Sequence, residues 1–269
     1  MKHLAREWNS IKRNIKGKPV YLFLDFDGTL TPIRKRPEAV KLSKATREAI
    51  KKLASQKKVF TAIISGRALK EVKKLVDVKG VMYAGNHGLE AEGAGFKFTA
   101  PEARKSKKTI TEVKNKLRKN LSSFKGVLVE DKGLSFSVHF RMADRDKAGQ
   151  IERTFRKITN PYKASGKIVV TKGKKVWEVR PPVKWDKGRI VSLLLKQRKK
   201  SEKKEIIPFY IGDDRTDEDA FRALGKRAYT VTIGKTAGKN TLARYYLMGT
   251  KEVREFLKKV SDIKSQERS

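Results

Sequence analysis

The chain has 269 residues, 38% of them hydrophobic, which suffices for one large domain or two modest ones. No run approaches eighteen apolar residues, the N-terminal MKHLAREWNSIKRN reads as a short amphipathic helix without the apolar core of a signal peptide, and cysteine is absent. A membrane span, disulfides, thiolate catalysis and cysteine-held metals are therefore excluded, and a cytoplasmic monomer is expected. The net charge of +37 raises nucleic-acid binding, yet residues 101–181 carry 22 basic and 8 acidic residues while the rest of the excess is spread over the other 188 positions. Without a basic arm, a zinc-finger spacing or an aromatic RNA-binding signature, no specific nucleic-acid partner is expected.

In chain order, 20–25 reads as a buried strand and 43–54 as a helix with Ser43 as its N-cap; 59–64 is a second buried strand, 68–76 a helix and 81–84 a short strand. This βαβαβ rhythm predicts a parallel sheet covered by helices. The pattern then changes. A polar helix at 107–120 precedes strands 126–130 and 134–141 around the turn Asp131-Lys132-Gly133; a helix at 147–158 precedes strands 168–171 and 176–180. Pro181-Pro182 suits no regular element and marks a return, after which a helix (187–198), a strand (206–211), a helix (217–224), a strand (228–232) and a last helix (252–260) resume the first rhythm. The organisation expected is an α/β, Rossmann-like core of residues 1–100 plus 182–269, interrupted by an α+β cap at 101–181.

The chemistry gathers where the core strands end, which is where open α/β sheets bind ligands. The first strand runs into Asp25-Phe26-Asp27-Gly28-Thr29, and carboxylates are costly at the end of a buried strand unless they bind metal or react. Alternation along the strand would turn Asp25 and Asp27 to one side, and Gly28 permits a sharp turn. Ser65-Gly66-Arg67 follows the second strand with a hydroxyl, helix-start amides and a guanidinium suited to phosphate. Lys187 opens the helix after the return, and Gly212-Asp213-Asp214 follows the strand at 206–211, with Asp217 three residues on.

The DxDGT string resembles the nucleophile motif of the haloacid dehalogenase superfamily, mostly phosphatases. Asp25 would then attack phosphorus, Asp27 would serve as acid and then base, and Thr29, Ser65, Gly66, Arg67 and Lys187 would hold the phosphoryl group. Mg²⁺ would take Asp25, the backbone carbonyl of Asp27 and Asp213, with Asp214 or Asp217 orienting the surrounding shell. Further strings, GNHG at 85–88, EDKG at 130–133, HFR at 139–141, EVRP at 178–181 and GDDRTDEDAF at 212–221, closely resemble those of the trehalose-6-phosphate phosphatase family over about residues 20–260. That resemblance implies cleavage of trehalose 6-phosphate with Mg²⁺ under a closing cap. It implies too that Glu130, Lys132 and Glu178 read sugar hydroxyls, that Arg141 holds the phosphate-bearing sugar or aids closure, and that Asn86, His87 and Arg67 line the core side. A sucrose-, glucosylglycerol- or mannosylglycerate-type phosphate shares the chemistry, and a nonenzymatic polyanion-binding scaffold is the reading of a different class.

Overall fold

The computed structural model describes residues 1–34, 36–202, 204–234 and 240–267. By internal contacts the chain forms two units, Thr99–Lys184 and, around it in sequence, Met1–Phe98 with the chain from Trp185 onward.

The first unit opens with β1 (Lys2–His3) and the amphipathic α1 (Trp8–Ile15), then β2 (Val20–Asp25), whose six residues are all buried. Ser43 caps α2 (Lys44–Ala54) by accepting the Thr46 amide at 3.2 Å. There follow β3 (Val59–Ile64), α3 (Leu69–Val76), β4 (Met82–Gly85), β5 (Glu90–Gly93) and β6 (Phe96–Thr99). The second unit holds α4 (Pro101–Leu121), β7 (Leu128–Asp131), β8 (Phe136–His139), α5 (Ala148–Ala164), β9 (Val169–Gly173) and β10 (Val176–Arg180). The chain returns through α6 (Lys187–Ser201), β11 (Ile207–Gly212), α7 (Asp217–Leu224), β12 (Tyr229–Ile233), β13 (Tyr245–Leu247) and α8 (Thr250–Gln266).

The first unit's sheet has the order β1-β13-β12-β11-β2-β3-β4-β5-β6. It is parallel from β1 to β4, and β5 turns back antiparallel. Alternate residues of β2 face opposite layers. Leu22 and Leu24 join the core under α1, α2, α3 and α8, while Tyr21 and Phe23 join the one under α6 and α7. Burying each such side chain contributes about 2 kcal/mol, which fixes the register of the central strand. β3 lies on one side of β2 and β11 on the other, so the strand order reverses at β2. The end of β2 is therefore a switch point, where the splaying connections leave room for a ligand.

In the second unit, the antiparallel sheet β7-β8-β10-β9 buries one face against α4 and α5, with Phe136, Val138, Trp177 and Val179 meeting Ile110, Val113, Ile151 and Phe155. The other face carries the polar partners of that alternation.

Several elements depart from the expected ones. α4 starts at Pro101 rather than 107, because proline is favoured in a first helical turn. α5 runs on to Ala164 through Pro161, past the expected end at 158. The turn between β9 and β10 falls at Lys174-Lys175, with Lys175 left-handed at φ 63°, rather than at 172–174. β1, β5, β6 and β13 lie outside the expected elements: each has two to four residues, and strands that short carry too little alternation to register in sequence. Among the described residues, no helix is long and apolar enough to cross a membrane.

Candidate active site

At the end of β2, Asp25 is 4% exposed and accepts a hydrogen bond from Lys187 Nζ at 2.7 Å. The same ammonium donates to Asp217 Oδ1 at 2.8 Å and lies 3.8 Å from Asp214 Oδ1. Three segments distant in sequence, β2, the start of α6 and the start of α7, thus meet on one buried cation. α6 is placed by its N-cap, Asp186, which accepts the Arg189 amide at 2.8 Å. Asp217 is itself fixed, receiving the Tyr210 hydroxyl at 2.7 Å on Oδ1 and the Asp214 amide at 2.9 Å on Oδ2. Asp25, Asp213 and Asp217 each bring one oxygen within 4.8 Å of the others, and Thr29 Oγ1 donates to Asp213 at 3.3 Å.

The electrostatics follow from this crowding. Burial pushes the Asp25 carboxyl well above its usual range; Lys187 opposes this, while Asp217, Asp214 and Asp213 add to it. Asp213 is pushed up to about 7 by burial and by its acidic neighbours. Burial alone would weaken the hold of Lys187 on its proton, but Asp217 and Asp25 outweigh it and keep the ammonium charged. Hard oxygens gathered with more negative charge than one lysine can offset fit a divalent metal cation.

The residues expected beside Asp25 do not all join it. β2 ends at Asp25, so Asp27 follows the Gly28 turn rather than the pleat, and its carboxylate is half exposed. It is gripped by Arg67, whose Nε reaches Oδ2 at 2.7 Å and whose Nη2 reaches Oδ1 at 2.8 Å. Arg67 also pairs with Glu71 and donates to the Pro37 carbonyl at 3.2 Å. The Arg67 guanidinium, expected for phosphate, is turned here to the Asp27 carboxylate. A planar fork matches a carboxylate bidentately, and a nearby carboxylate claims it first. Ser65 is buried and accepts the Arg67 amide at 3.1 Å. Gly66 is needed because a Cβ there would meet the His87 ring at 2.6 Å. Asn86 and His87 both adopt left-handed backbone, at φ 51° and 55°. The loop is held by the Asn86 amide on the Arg67 carbonyl at 2.7 Å, the His87 amide on the Ser65 carbonyl at 3.0 Å, and the Asn86 side chain on Glu90 at 2.7 Å.

In the second unit, strand pairing aligns Glu130 with Ser137 and Ser137 with Glu178, so the two carboxylates flank one serine on the sheet's polar face. Glu130 Oε2 lies 2.7 Å from His139 Nε2, and Lys132 Nζ donates to Glu178 at 3.4 Å. Arg141 stands apart from this row, exposed, with its guanidinium on the Lys174 carbonyl at 3.0 Å. Sequence reasoning missed three contributors. Tyr210 lies inside an apolar run and looks like core, Glu71 looks like a solvated helix charge, and Ser137 carries no motif. The period-2 pattern SFSVHF places Ser137 and His139 on one face and was the available signal.

A buried lysine tying an aspartate at the end of a central parallel strand to clustered acidic oxygens at the switch point defines a phosphatase of the haloacid dehalogenase type. The fold alone is shared with a haloacid dehalogenase-like hydrolase from Bacteroides thetaiotaomicron, at TM-score 0.62 and 17% identity over 90% of this chain and all of that one. The family model for trehalose-phosphatase matches residues 23–251. The chain is similar to trehalose-phosphate phosphatase B of Arabidopsis thaliana, 34% identical over 96% of this chain and 70% of that protein. It is also similar to the C-terminal domain of a C. albicans trehalose-6-phosphate phosphatase, at TM-score 0.78 and 26% identity, covering 97% of this chain and 99% of that one. The chain belongs to the trehalose-phosphatase family.

Proposed function

We propose that this chain hydrolyses trehalose 6-phosphate to trehalose and inorganic phosphate, with Mg²⁺, through a phosphorylated Asp25. The observation that carries the reading is the convergence of Asp25, Lys187, Asp213 and Asp217 at the end of β2. Asp25 attacks phosphorus and forms an acyl phosphate as the bond to the sugar oxygen breaks. Asp27 gives that oxygen its proton, then takes one from the water that opens the acyl phosphate. Lys187 neutralises the buried carboxylate before attack and the added negative charge during it. Thr29 and Ser65 supply hydroxyls to the phosphoryl oxygens, and the amides around Gly66 complete that cradle. Arg67, fixed by Glu71, sets the angle of Asp27 rather than meeting phosphate. Mg²⁺, held by Asp25, Asp213 and the Asp27 carbonyl and oriented by Asp214 and Asp217, would screen the anionic nucleophile from the anionic phosphate.

Sugar reading falls to Glu130, Lys132 and Glu178. Two carboxylates and an ammonium, already aligned across three strands or their turn, supply the paired acceptors and donors that a neutral disaccharide requires. Asn86 and His87 belong to the same proposal as sugar contacts, and Arg141 contributes to holding the phosphate-bearing sugar. A cytoplasmic monomer belongs to the same reading. The test is phosphate release from trehalose 6-phosphate, glucose 6-phosphate and sucrose 6-phosphate, each with Mg²⁺ and with chelator. Preference for trehalose 6-phosphate, abolished by chelator, is expected. Equal rates on the three would remove the substrate assignment, and full activity in chelator would remove the metal.

A further inference from the structure

The catalytic reading leaves the charge of +37 without a use. In sequence the excess is spread along the chain, but the fold concentrates part of it. α4 carries eight basic and two acidic residues over its 21 positions. Its apolar stripe, Ala103, Ile110, Val113, Leu117 and Leu121, is spent on the core of the second unit. The opposite face presents Arg104, Lys105, Lys107, Lys108, Arg118 and Lys119, all exposed. None of these six forms a salt bridge among the described residues. Of the nearby acids, Glu112 is engaged with Lys116 at 2.8 Å and the Tyr162 hydroxyl at 2.6 Å, and Glu152 with Arg156 at 2.7 Å, which leaves Glu102 in the first turn of α4 to offset one of the charges beside it. α5 lies beside α4 over the same core and adds Arg153 and Lys157 to the exposed layer.

We infer that the outer face of α4 and α5 is a docking surface for double-stranded nucleic acid, bound through its phosphates without reading bases. From residue 104 to residue 119 an α-helix rises about 22 Å, enough to follow a line of phosphates along a duplex. Phosphate contacts require Lys and Arg and little else. A folded protein partner would need apolar or aromatic anchors in an interface core where Lys is depleted, and stable anchoring on a membrane would need an apolar face to insert beside the charge. Among the described residues, no large hydrophobic side chain on α4 or α5 is exposed, so neither requirement is met. Single strands are bound by stacking on aromatic rings, and Tyr162, the one aromatic near this face, is tied to Glu112 and Lys116.

The experiment titrates the whole protein with a labelled 20-base-pair duplex of arbitrary sequence, by anisotropy, from 50 to 300 mM salt. The expected dissociation constant at 150 mM salt is about 10⁻⁶–10⁻⁴ M, with a steep linear fall of log affinity with log salt. The variant R104E/K105E/K107E/K108E should lose about three to four from the magnitude of that slope, at about 0.9 per phosphate contact, and at least tenfold in affinity at 150 mM. Its rate on trehalose 6-phosphate should be unchanged, which shows that it is folded. A control variant, K196E/K199E/K200E on α6, should retain most of both. No binding at 150 mM salt overturns the inference, and so does equal loss in the control, which would mean diffuse charge rather than a surface. Equal affinity for single-stranded DNA, polyphosphate or polyglutamate of matched length also overturns it, because the partner would then be any polyanion. None of these outcomes bears on phosphatase activity, which is measured separately.

Discussion

Asp25 sits where two demands conflict: burial and three neighbouring carboxylates disfavour its charge, and Lys187 opposes them without cancelling them. Asp25→Asn keeps the volume and removes the nucleophile, so turnover should fall by roughly 10⁴-fold or more while circular dichroism is unchanged. A variant that folds and still turns over would end the acyl-phosphate mechanism. In the second unit, His139 lies 2.7 Å from Glu130 and holds one carboxylate oxygen in place. His139→Ala should raise the KM for trehalose 6-phosphate about tenfold with little change on a small aryl phosphate, and His139→Gln should recover part of the loss. Equal effects on both substrates would assign His139 to folding alone. Asp25 was legible in sequence because a carboxylate closing an apolar run is physically expensive. Tyr210 and Glu71 were not, because a tyrosine in a buried strand and a glutamate on a helix are ordinary until their partners are seen.

The turn after β2 is the element on which the site depends. Gly28 has φ 89°, and a Cβ on it would lie 2.0 Å from Asp213 Oδ2. The backbone of one segment therefore occupies the space against the carboxylate of another. Gly28→Ala should cost about 1–3 kcal/mol in urea denaturation and displace Asp213, so that Mg²⁺ no longer raises the melting temperature. Unchanged stability together with an unchanged Mg²⁺ response would show that the close approach is unimportant. The glycine after the aspartates was expected to serve a sharp turn. Its second duty, admitting Asp213, arises only because β11 pairs directly with β2. The same holds for the row Glu130, Ser137 and Glu178, which depends on two strand registers that no local pattern specifies.

For the whole molecule, the clustered acids link metal, protons and stability. A carboxyl raised from its ordinary value to about 7, as Asp213 is, binds a proton more tightly in the folded than in the unfolded state. Its contribution therefore favours the metal-free fold below the unfolded value and is lost as pH rises through about 7. A divalent cation competes with that proton, so the rise in melting temperature on adding Mg²⁺ in place of chelator should be larger at pH 8 than at pH 6. Asp213→Asn should flatten that difference, and a larger rise at pH 6 would refute the linkage.

The class of fold, the change of rhythm along the chain and the chemistry at the strand ends were all legible in the order of residues. Local period, caps and costly buried charges are written residue by residue. Which of those residues meet is settled by folding. Lys187 bridges Asp25 and Asp217, Arg67 grips Asp27, and Glu130 and Glu178 flank Ser137. Contacts between distant segments depend on strand order and register. Those are fixed by the burial of the whole core, to which no single segment holds the key.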